Sequence, residues 1–249
     1  MSDAAIKIEN LDFHYPGQAQ MFFSQLNLEI ARGERFGLFG PNGAGKTTLM
    51  NLMTGVVSYR EGSIKLFGNT IRSKDNQVNR YFGYVPQDLS FYQELSPVEN
   101  LEFFGAWSGL GKREIKKRTD ELLEILDLAS VSNKPAEKLS GGMKRRINLA
   151  IGMIHKPRIL FLDEPTVGVD VQTRYDIINY LKELNNNGTT LIYTSHQLNE
   201  AEGLCNKIAL LDEGKIIAYG DLSTLLVTHG QEELEGLFLK LTGKEFLHI

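Results

Sequence analysis

The 249-residue sequence has one cysteine, Cys205, so it cannot form an intrachain disulfide framework. Such a chain suits a reducing compartment, and we expect Cys205 to be a small buried or half-buried apolar side chain. The sequence also lacks any apolar run of about 18 residues, which excludes a helix that crosses a bilayer. The first residues, Met1–Ala5, lack the basic and apolar regions of a secretory signal peptide.

Positive charge is not in excess either, because the formal net charge is −4 at pH 7. No overall basic field therefore indicates a nucleic-acid partner. Internal repeats, linkers and low-complexity segments are missing as well. What remains is an ordinary globular composition, with 42% hydrophobic and 23% charged residues. The chain is long enough for one large or two small domains.

A glycine-rich loop fits the pattern G-x-x-x-x-G-K-[ST], and its residues are Gly40, Pro41, Asn42, Gly43, Ala44, Gly45, Lys46, Thr47 and Thr48. Glycine lets the backbone N–H groups turn inward toward a polyphosphate. Lys46 supplies positive charge for the β- and γ-phosphates, and the Thr47 hydroxyl can reach a Mg²⁺ ion. An apolar run before the loop, Arg35–Phe39, and helical spacing of leucines after it favour strand, loop and helix over a chance match. We therefore predict a nucleotide-binding site here.

Two carboxylates follow a continuous apolar strand, Ile159–Leu162. A strand of this kind delivers Asp163 and Glu164 to the carboxyl end of a parallel sheet, where ligands of α/β proteins bind. Asp163 can then hold Mg²⁺ through its water shell, and Glu164 can polarise an attacking water as a general base. In isolation the two acids would simply be solvated. Beside a phosphate loop, the catalytic interpretation is favoured.

Three residues, Ser140, Gly141 and Gly142, open another predicted helix, with Ser140 as a good N-cap. The free N–H groups of a helix N-terminus attract anions, although a merely capped helix has the same sequence. Because the chain already contains one phosphate loop, we predict that this helix contacts a nucleotide held by another copy.

The stretch between residues 88 and 156 has a helical pattern throughout. Its first predicted helix begins at the capping box Ser96–Glu99, its second runs from Lys112 to about Leu128, and its third begins at Ser140 and stops before Pro157. The block resembles an insertion, because strand and helix alternate again after it. Two basic groups are predicted to be solvated helix faces: Lys112, Arg113, Lys116, Lys117 and Arg118, and Lys144, Arg145 and Arg146.

Together these motifs are similar to those of the ABC ATPases, in the order that family requires and over nearly the whole chain. Leu139–Met143 resembles the LSGGQ signature, with Met143 in place of the glutamine. Val167–Asp170 resembles the D-loop, with a valine where leucine is commoner. Because Ser140, Gly142 and Asp170 are kept, we expect activity to survive both departures.

The resemblance also implies roles for three further residues. Tyr15 would stack on adenine, although Phe13 competes with it for that role. Gln87 would couple the γ-phosphate and the metal to the helical block, although taken alone it would be a surface amide. His196 would hold the γ-phosphate. ATP and Mg²⁺ are the implied cofactors, with Thr47, Gln87 and Asp163 around the metal.

The implied fold is α/β: a P-loop NTPase (RecA-like) core with an antiparallel β subdomain and an inserted α-helical subdomain. A single ABC ATPase domain would span residues 1–249. Residues 1–87 and 157–249 would form the core and the β subdomain, and residues 88–156 the helical subdomain.

The implied function is that of an ATP-binding and hydrolysing subunit that powers a membrane exporter. Each ATP would lie between the Lys46 loop of one subunit and the Ser140 helix of the other in a head-to-tail dimer, formed with a second copy or a related ATPase subunit. Three stretches look like those of the type-2 ABC exporters, the drug and antibiotic efflux branch. They are the runs Met143–Arg146 and Glu164–Asp170 and the tail at 234–244.

A separate transmembrane permease subunit would hold such a chain at the cytoplasmic face of the cell membrane, and no nucleic acid would be a partner. The permease would insert a helix near Phe91, Tyr92 and the Ser96–Trp107 helix. The alternative is a non-transport ABC ATPase switch acting on the ribosome or DNA, but this chain has one cassette, no charged linker and no long coiled coil. A generic P-loop kinase or GTPase leaves Ser140–Gly142 unexplained.

Overall fold

Ten strands and eight α-helices make up a computed structural model that describes residues 4–18, 20–71, 78–195 and 198–243. The strands are β1 (Ala4–Phe13), β2 (Phe23–Ala31), β3 (Arg35–Phe39), β4 (Glu61–Leu66), β5 (Asn69–Thr70), β6 (Phe82–Val85), β7 (Ile159–Asp163), β8 (Thr190–Thr194), β9 (Lys207–Asp212) and β10 (Lys215–Asp221). The helices are α1 (Lys46–Met53), α2 (Pro97–Trp107), α3 (Lys112–Ile125), α4 (Gly141–Met153), α5 (Val171–Asn186), α6 (Leu198–Leu204), α7 (Leu222–His229) and α8 (Leu234–Thr242).

One sheet is antiparallel and has the strand order β2-β1-β4-β5. Alternating apolar residues bury one face of β1 and β2, which is the period of a half-buried strand. Strand β1 is irregular, because its pairing with β2 shifts between Ile8 and Leu11 and Asn10 has a φ of 49°. This sheet is the antiparallel part of the expected fold.

The other sheet has six strands in the order β10-β9-β3-β8-β7-β6. Its strands pair in parallel from β9 through β6, and β10 adds an antiparallel edge. Every residue of β7 and β8 is buried, as expected for a parallel sheet covered on both faces. The carboxyl ends of β3 and β7 therefore open toward the same side, where the phosphate loop and the two acids follow them. The α/β fold class is confirmed.

The segment from 88 to 156, all of it described, contains α2, α3 and α4 and no strand. The predicted capping box is present at the start of α2, where the Ser96 and Glu99 side chains each bind the other residue's backbone N–H. Helix α4 lies directly on β6, because a Cβ added to Gly83 would lie 1.9 Å from the carbonyl oxygen of Gly152. The assignment of this segment to a separate subdomain stays a prediction.

Two helix predictions need correction. Helix α3 ends at Ile125 rather than near Leu128, because Asp127 adopts a left-handed φ of 52° that stops the helix. Helix α7 was not predicted at all. Its sequence contains Ser, Thr and Val, which are modest helix formers, but Gly230 ends it with a left-handed φ of 61°. The tail contains helix α8, in which Leu234, Leu237 and Phe238 are buried.

The prediction of solvated basic faces is wrong for two arginines, Arg118 and Arg145, which are each 8% exposed. The Arg118 guanidinium donates to the carbonyl oxygens of Met153 and Ile154 at the end of α4, which compensates its burial. Arg146 is also largely buried and contacts Asp127 and Asp176. Lys116 and Lys117, by contrast, are exposed and pair with acids one helical turn on.

Candidate functional site

The glycine-rich loop between β3 and α1 borders a cavity of about 300 Å³. The described residues that line it are Tyr15, Asn42, Gly43, Gly45, Lys46, Thr47, Thr48, Gln87 and Glu164. Two glycines are required by the geometry. Gly45 has a φ of 109°, and a Cβ on Gly40 would lie 2.2 Å from the carbonyl oxygen of Leu211. The loop thus turns its backbone around the cavity in a way that other residues would not allow.

Lys46 is the cation of this cavity and is buried, with 6% of its surface exposed. Its Nζ donates to the carbonyl oxygens of Gly40 and Pro41 at 2.8 and 3.1 Å. Burial lowers the pKa of Lys46, and the carboxylates of Glu164 and Asp163 oppose that shift. The loop's own carbonyl groups therefore hold the ammonium group in place beside the cavity.

Asp163 is fixed by two hydroxyl groups at the end of β7. Its Oδ2 accepts a hydrogen bond of 3.1 Å from Thr47, and its Oδ1 accepts one of 2.6 Å from Thr194. The Thr47 hydroxyl and the Asp163 carboxylate are hard oxygen ligands, which suit Mg²⁺. Tyr84 lies beside the same carboxylate; burial, followed by the charge and hydrogen bond of Asp163, raises the pKa of Tyr84 to about 12.

Glu164 follows in a left-handed conformation, with a φ of 51°, and its backbone N–H donates to the Thr194 hydroxyl at 3.1 Å. Its Oε2 accepts a hydrogen bond of 2.8 Å from the Gln87 amide. Burial raises the pKa of Glu164, as does the charge of Asp163, while Lys46 lowers it. A carboxylate with a raised pKa is a better proton acceptor near neutral pH, so the environment of Glu164 favours a general base.

Tyr15 and Thr48 close the cavity near the antiparallel sheet. The Tyr15 hydroxyl lies 2.5 Å from Oγ1 of Thr48, and its ring packs edge-on against Phe13 and Phe22. Phe13 itself is buried in the core of that sheet. Of the two aromatic candidates, the structure places only Tyr15 at the cavity.

Four further candidates are not among the described residues that line the cavity: Ser140, Gly141, Gly142 and Asp170. They form a second group. Ser140 caps α4 by accepting from the N–H of Met143, and Asp170 caps α5 by accepting from the N–H of Thr173. A Cβ on Gly142 would lie 3.6 Å from Oδ2 of Asp170, so the two helix starts adjoin each other. His196 lies outside the described residues.

The sequence reasoning missed three residues that hold this site together: Thr194, Arg145 and Asn148. Thr194 contacts both acids through its hydroxyl. Arg145 and Asn148 are buried on α4 and bind the backbone around Gln87. Arg145, Asn148 and Gly152 are spaced as residues on one face of a helix, and this spacing was the signal that could have indicated their burial. It was masked by the polar character of the side chains.

A comparison with protein families matches residues 23–167 to the family described as ABC transporter. The linearmycin resistance ATP-binding protein of Bacillus subtilis (strain 168) is 40% identical over 222 residues, which cover 89% of this chain and 71% of that protein. A daunorubicin resistance ATP-binding protein of Streptomyces coeruleorubidus is 36% identical over 94% of this chain and 74% of its own length.

Solved structures agree over most of the chain. A structure described as the ATP binding subunit of an ABC transporter is 26% identical with a TM-score of 0.87, covering 96% of this chain and 99% of its own. A dimeric ATP-binding cassette in a post-hydrolysis state, bound to ADP and Pi, is 26% identical with a TM-score of 0.78, covering 87% of this chain and 98% of its own. Sequence family, relatives and fold thus lead to one assignment: the chain belongs to the ABC transporter family, as one of its ATP-binding and ATP-hydrolysing proteins.

Proposed function

We propose that this chain is the ATP-hydrolysing subunit of a membrane exporter and that it works as a head-to-tail dimer. The observation that carries the proposal is the arrangement around one cavity. A phosphate loop, a Thr47–Asp163 oxygen pair and a Gln87–Glu164 pair lie side by side. The relatives named for linearmycin and daunorubicin resistance, and for Nod factor export, support an export role.

In this proposal the loop from Gly40 to Thr48 binds the phosphates of ATP through its N–H groups, and Lys46 neutralises their charge. Tyr15 stacks on the adenine. Thr47, Asp163 and Gln87 would hold Mg²⁺, which would offset the negative charge of the phosphate oxygens. Glu164 accepts the proton of the attacking water. His196 is assigned to the γ-phosphate by the family pattern alone.

The second group, Ser140 to Gly142 with Asp170, is proposed to complete the site of another subunit. Its helix start offers N–H groups to an anion, and none of these four residues is among the described residues that line this chain's own cavity. The partner is a second copy or a related ATPase subunit. A related cassette that is dimeric with bound ADP and Pi supports this arrangement.

A groove lined in part by β6 is proposed to receive the permease. It has a volume of about 610 Å³ and lies between Val56, the aromatic side of α2 and the end of α4. Phe104 and Trp107 line it, whereas Phe91 packs against the core and Tyr92 contacts Phe103 and Phe104. Within the described part of the chain, no helix meets the length and apolarity that crossing a membrane requires.

A transmembrane partner would therefore place this chain at the cytoplasmic face of the membrane. A structure that is similar to this chain is described as part of the ABC transporter complex cbiONQ, which supports a multisubunit assembly. We propose no nucleic-acid partner, consistent with the net charge of −4. Residues 88–156 would act in this assembly as the helical subdomain that carries movement between nucleotide and permease.

The proposal is tested with Glu164→Gln protein, in which ATP should bind but not be cleaved. We expect ATP hydrolysis to fall by about 10² or more, and light scattering to show a dimer only when Mg-ATP is added. Lys46→Ala combined with Glu164→Gln is the control, and it should stay monomeric. A persistent monomer with ATP bound would contradict the proposed homodimer, and a related ATPase subunit would then be the expected partner. Undiminished hydrolysis would remove Glu164 from the mechanism.

A further inference from the structure

Helix α4 is hydrogen-bonded to the backbone of the segment that carries Gln87. The Asn148 amide donates to the carbonyl oxygens of Pro86 and Asp88 at 3.1 and 3.4 Å and accepts from the N–H of Ser90 at 3.1 Å. Asn148 is 2% exposed, so these bonds are shielded from competing water. The segment from 86 to 90 is thereby attached to α4 rather than lying as an independent loop.

Arg145, one turn earlier on α4, adds a bond at Gln87 itself. Its Nη1 donates to the Gln87 carbonyl oxygen at 2.6 Å, and its Nη2 donates to the carbonyl oxygen of Val167 at 3.3 Å. Val167 lies three residues after Glu164, in the loop that leads to α5. The guanidinium binds the two carbonyl groups with two separate nitrogens held in one plane, whereas a lysine ammonium has all its donors on a single nitrogen.

The link continues from Gln87 to the catalytic acid. While the backbone of Gln87 is bound by Arg145, its side-chain amide donates to Oε2 of Glu164 at 2.8 Å. Arg145 thus contacts two segments next to Glu164. One carries Gln87, which donates to Glu164, and the other contains Val167, which follows Glu164 in sequence.

We propose that Arg145 is a positioning residue for ATP hydrolysis, which fixes Gln87 against Glu164 and makes their relative position depend on helix α4. The inference rests on the proposed role of Glu164 and deepens it. The same helix begins at Ser140, the end proposed to contact the nucleotide of the second subunit. A displacement of α4 on binding that nucleotide would reach Glu164 through Arg145 and Gln87.

The test compares full-length wild type with Arg145→Lys, which keeps the charge and loses the planar pair of nitrogens that binds the two carbonyl groups. We expect kcat for ATP hydrolysis to fall by about tenfold to a hundredfold, because small displacements of reacting groups cost that much. KM and the nucleotide dissociation constant measured by equilibrium dialysis should stay within about twofold. Lys144→Ala, the adjacent half-buried residue on α4, is the matched control and should retain wild-type kcat.

A merely structural role is separated from positioning by a double-mutant cycle. If Arg145 acts through Gln87, then Arg145→Lys should lower kcat little further in a Gln87→Ala background. Activities are normalised to the bound nucleotide per chain, so that unfolded protein does not count. Additive losses, or full kcat in Arg145→Lys, would overturn the inference while leaving the ATPase assignment intact.

Asn148→Ser provides a second variant in case the arginine variant does not fold. It loosens the same segment without touching the guanidinium, and kcat should again fall at unchanged KM. Wild-type kcat in this variant would count against the role of α4. If Glu164→Gln hydrolysed ATP as fast as wild type, the proposed function of Glu164 and this inference would fail together.

Discussion

Single residues in this protein owe much of their chemistry to burial. Cys205 is buried among apolar side chains next to α6, and burial raises the pKa of its thiol above the ordinary value. We expect a thiol reagent such as DTNB to label native protein at least about 10²-fold more slowly than urea-unfolded protein. Labelling at the same rate in both states would contradict the buried position.

His155, at the end of α4, makes stability depend on pH. Burial lowers the pKa of His155 below 6.5, while its hydrogen bond to the Phe82 carbonyl oxygen acts in the opposite direction. Well above pH 6.5 the ring is neutral in both folded and unfolded chains and has no effect. As pH falls below that value, the unfolded chain takes up a proton that the folded chain resists, so the free energy of unfolding decreases until the folded-state pKa is reached.

Urea unfolding at several pH values between about 7.5 and 5.5 tests this expectation. The wild type should lose more stability across that range than His155→Gln, which has no group to titrate there. Parallel pH dependence in the two proteins would show that the ring is protonated as readily in the folded as in the unfolded chain.

At the scale of elements, the contact between α4 and β6 depends on two glycines. A Cβ on Gly83 would lie 1.9 Å from the Gly152 carbonyl oxygen, so helix and strand would have to separate. We expect Gly83→Ala to lower the free energy of unfolding by about 1–3 kcal/mol, read as a lower midpoint of urea unfolding. Hydrolysis should fall as well, because α4 carries Arg145 and Asn148.

Gly203→Ala is the matched control for that prediction. It lies in α6, and a Cβ there meets nothing within 4 Å. The substitution should be neutral or stabilise by about 0.5–1 kcal/mol, because alanine restricts the unfolded chain and favours a helix. Equal losses in the two variants would argue against a specific close approach at Gly83.

The elements that the sequence predicts best are those set by local signals. Apolar runs identify β3, β7 and β8, and the side chains of Ser96 and Ser140 identify the starts of α2 and α4. Buried Arg145 was missed because its partners are carbonyl groups of Gln87 and Val167, far away in sequence. Helical spacing can indicate that Arg145 faces the core, but no local pattern identifies its carbonyl partners, so only the folded chain reveals the pairing.

For the whole molecule, nucleotide binding should appear as added stability. A Mg²⁺-bound, non-hydrolysable ATP analogue at about 100 times its dissociation constant should stabilise the folded chain by about 2.7 kcal/mol. For a protein of this size that corresponds to a rise in Tm of roughly 5–10 °C. Differential scanning calorimetry of wild type and Lys46→Ala measures it, since removing the Lys46 charge should abolish the rise.

The Lys144→Ala protein should show the full rise in Tm, because that lysine lies on α4 and not in the cavity. An equal rise in Lys46→Ala would mean that the analogue stabilises the chain from some other place. The loop and the acid pair beside the candidate cavity could be predicted, because each of them is a short contiguous motif in the sequence. The groove was not, because its walls come from segments that are far apart along the chain.

The position of Trp107 has a practical consequence for the whole protein. It is the single tryptophan of the chain, it is 82% exposed, and it stands on the wall of the groove beside Phe103. Intrinsic tryptophan fluorescence therefore comes from one surface alone. Its emission should lie at the long wavelengths of a hydrated indole and be open to quenching by acrylamide. The unlabelled protein thus carries a built-in optical probe of the groove, separate from the cavity that holds Lys46.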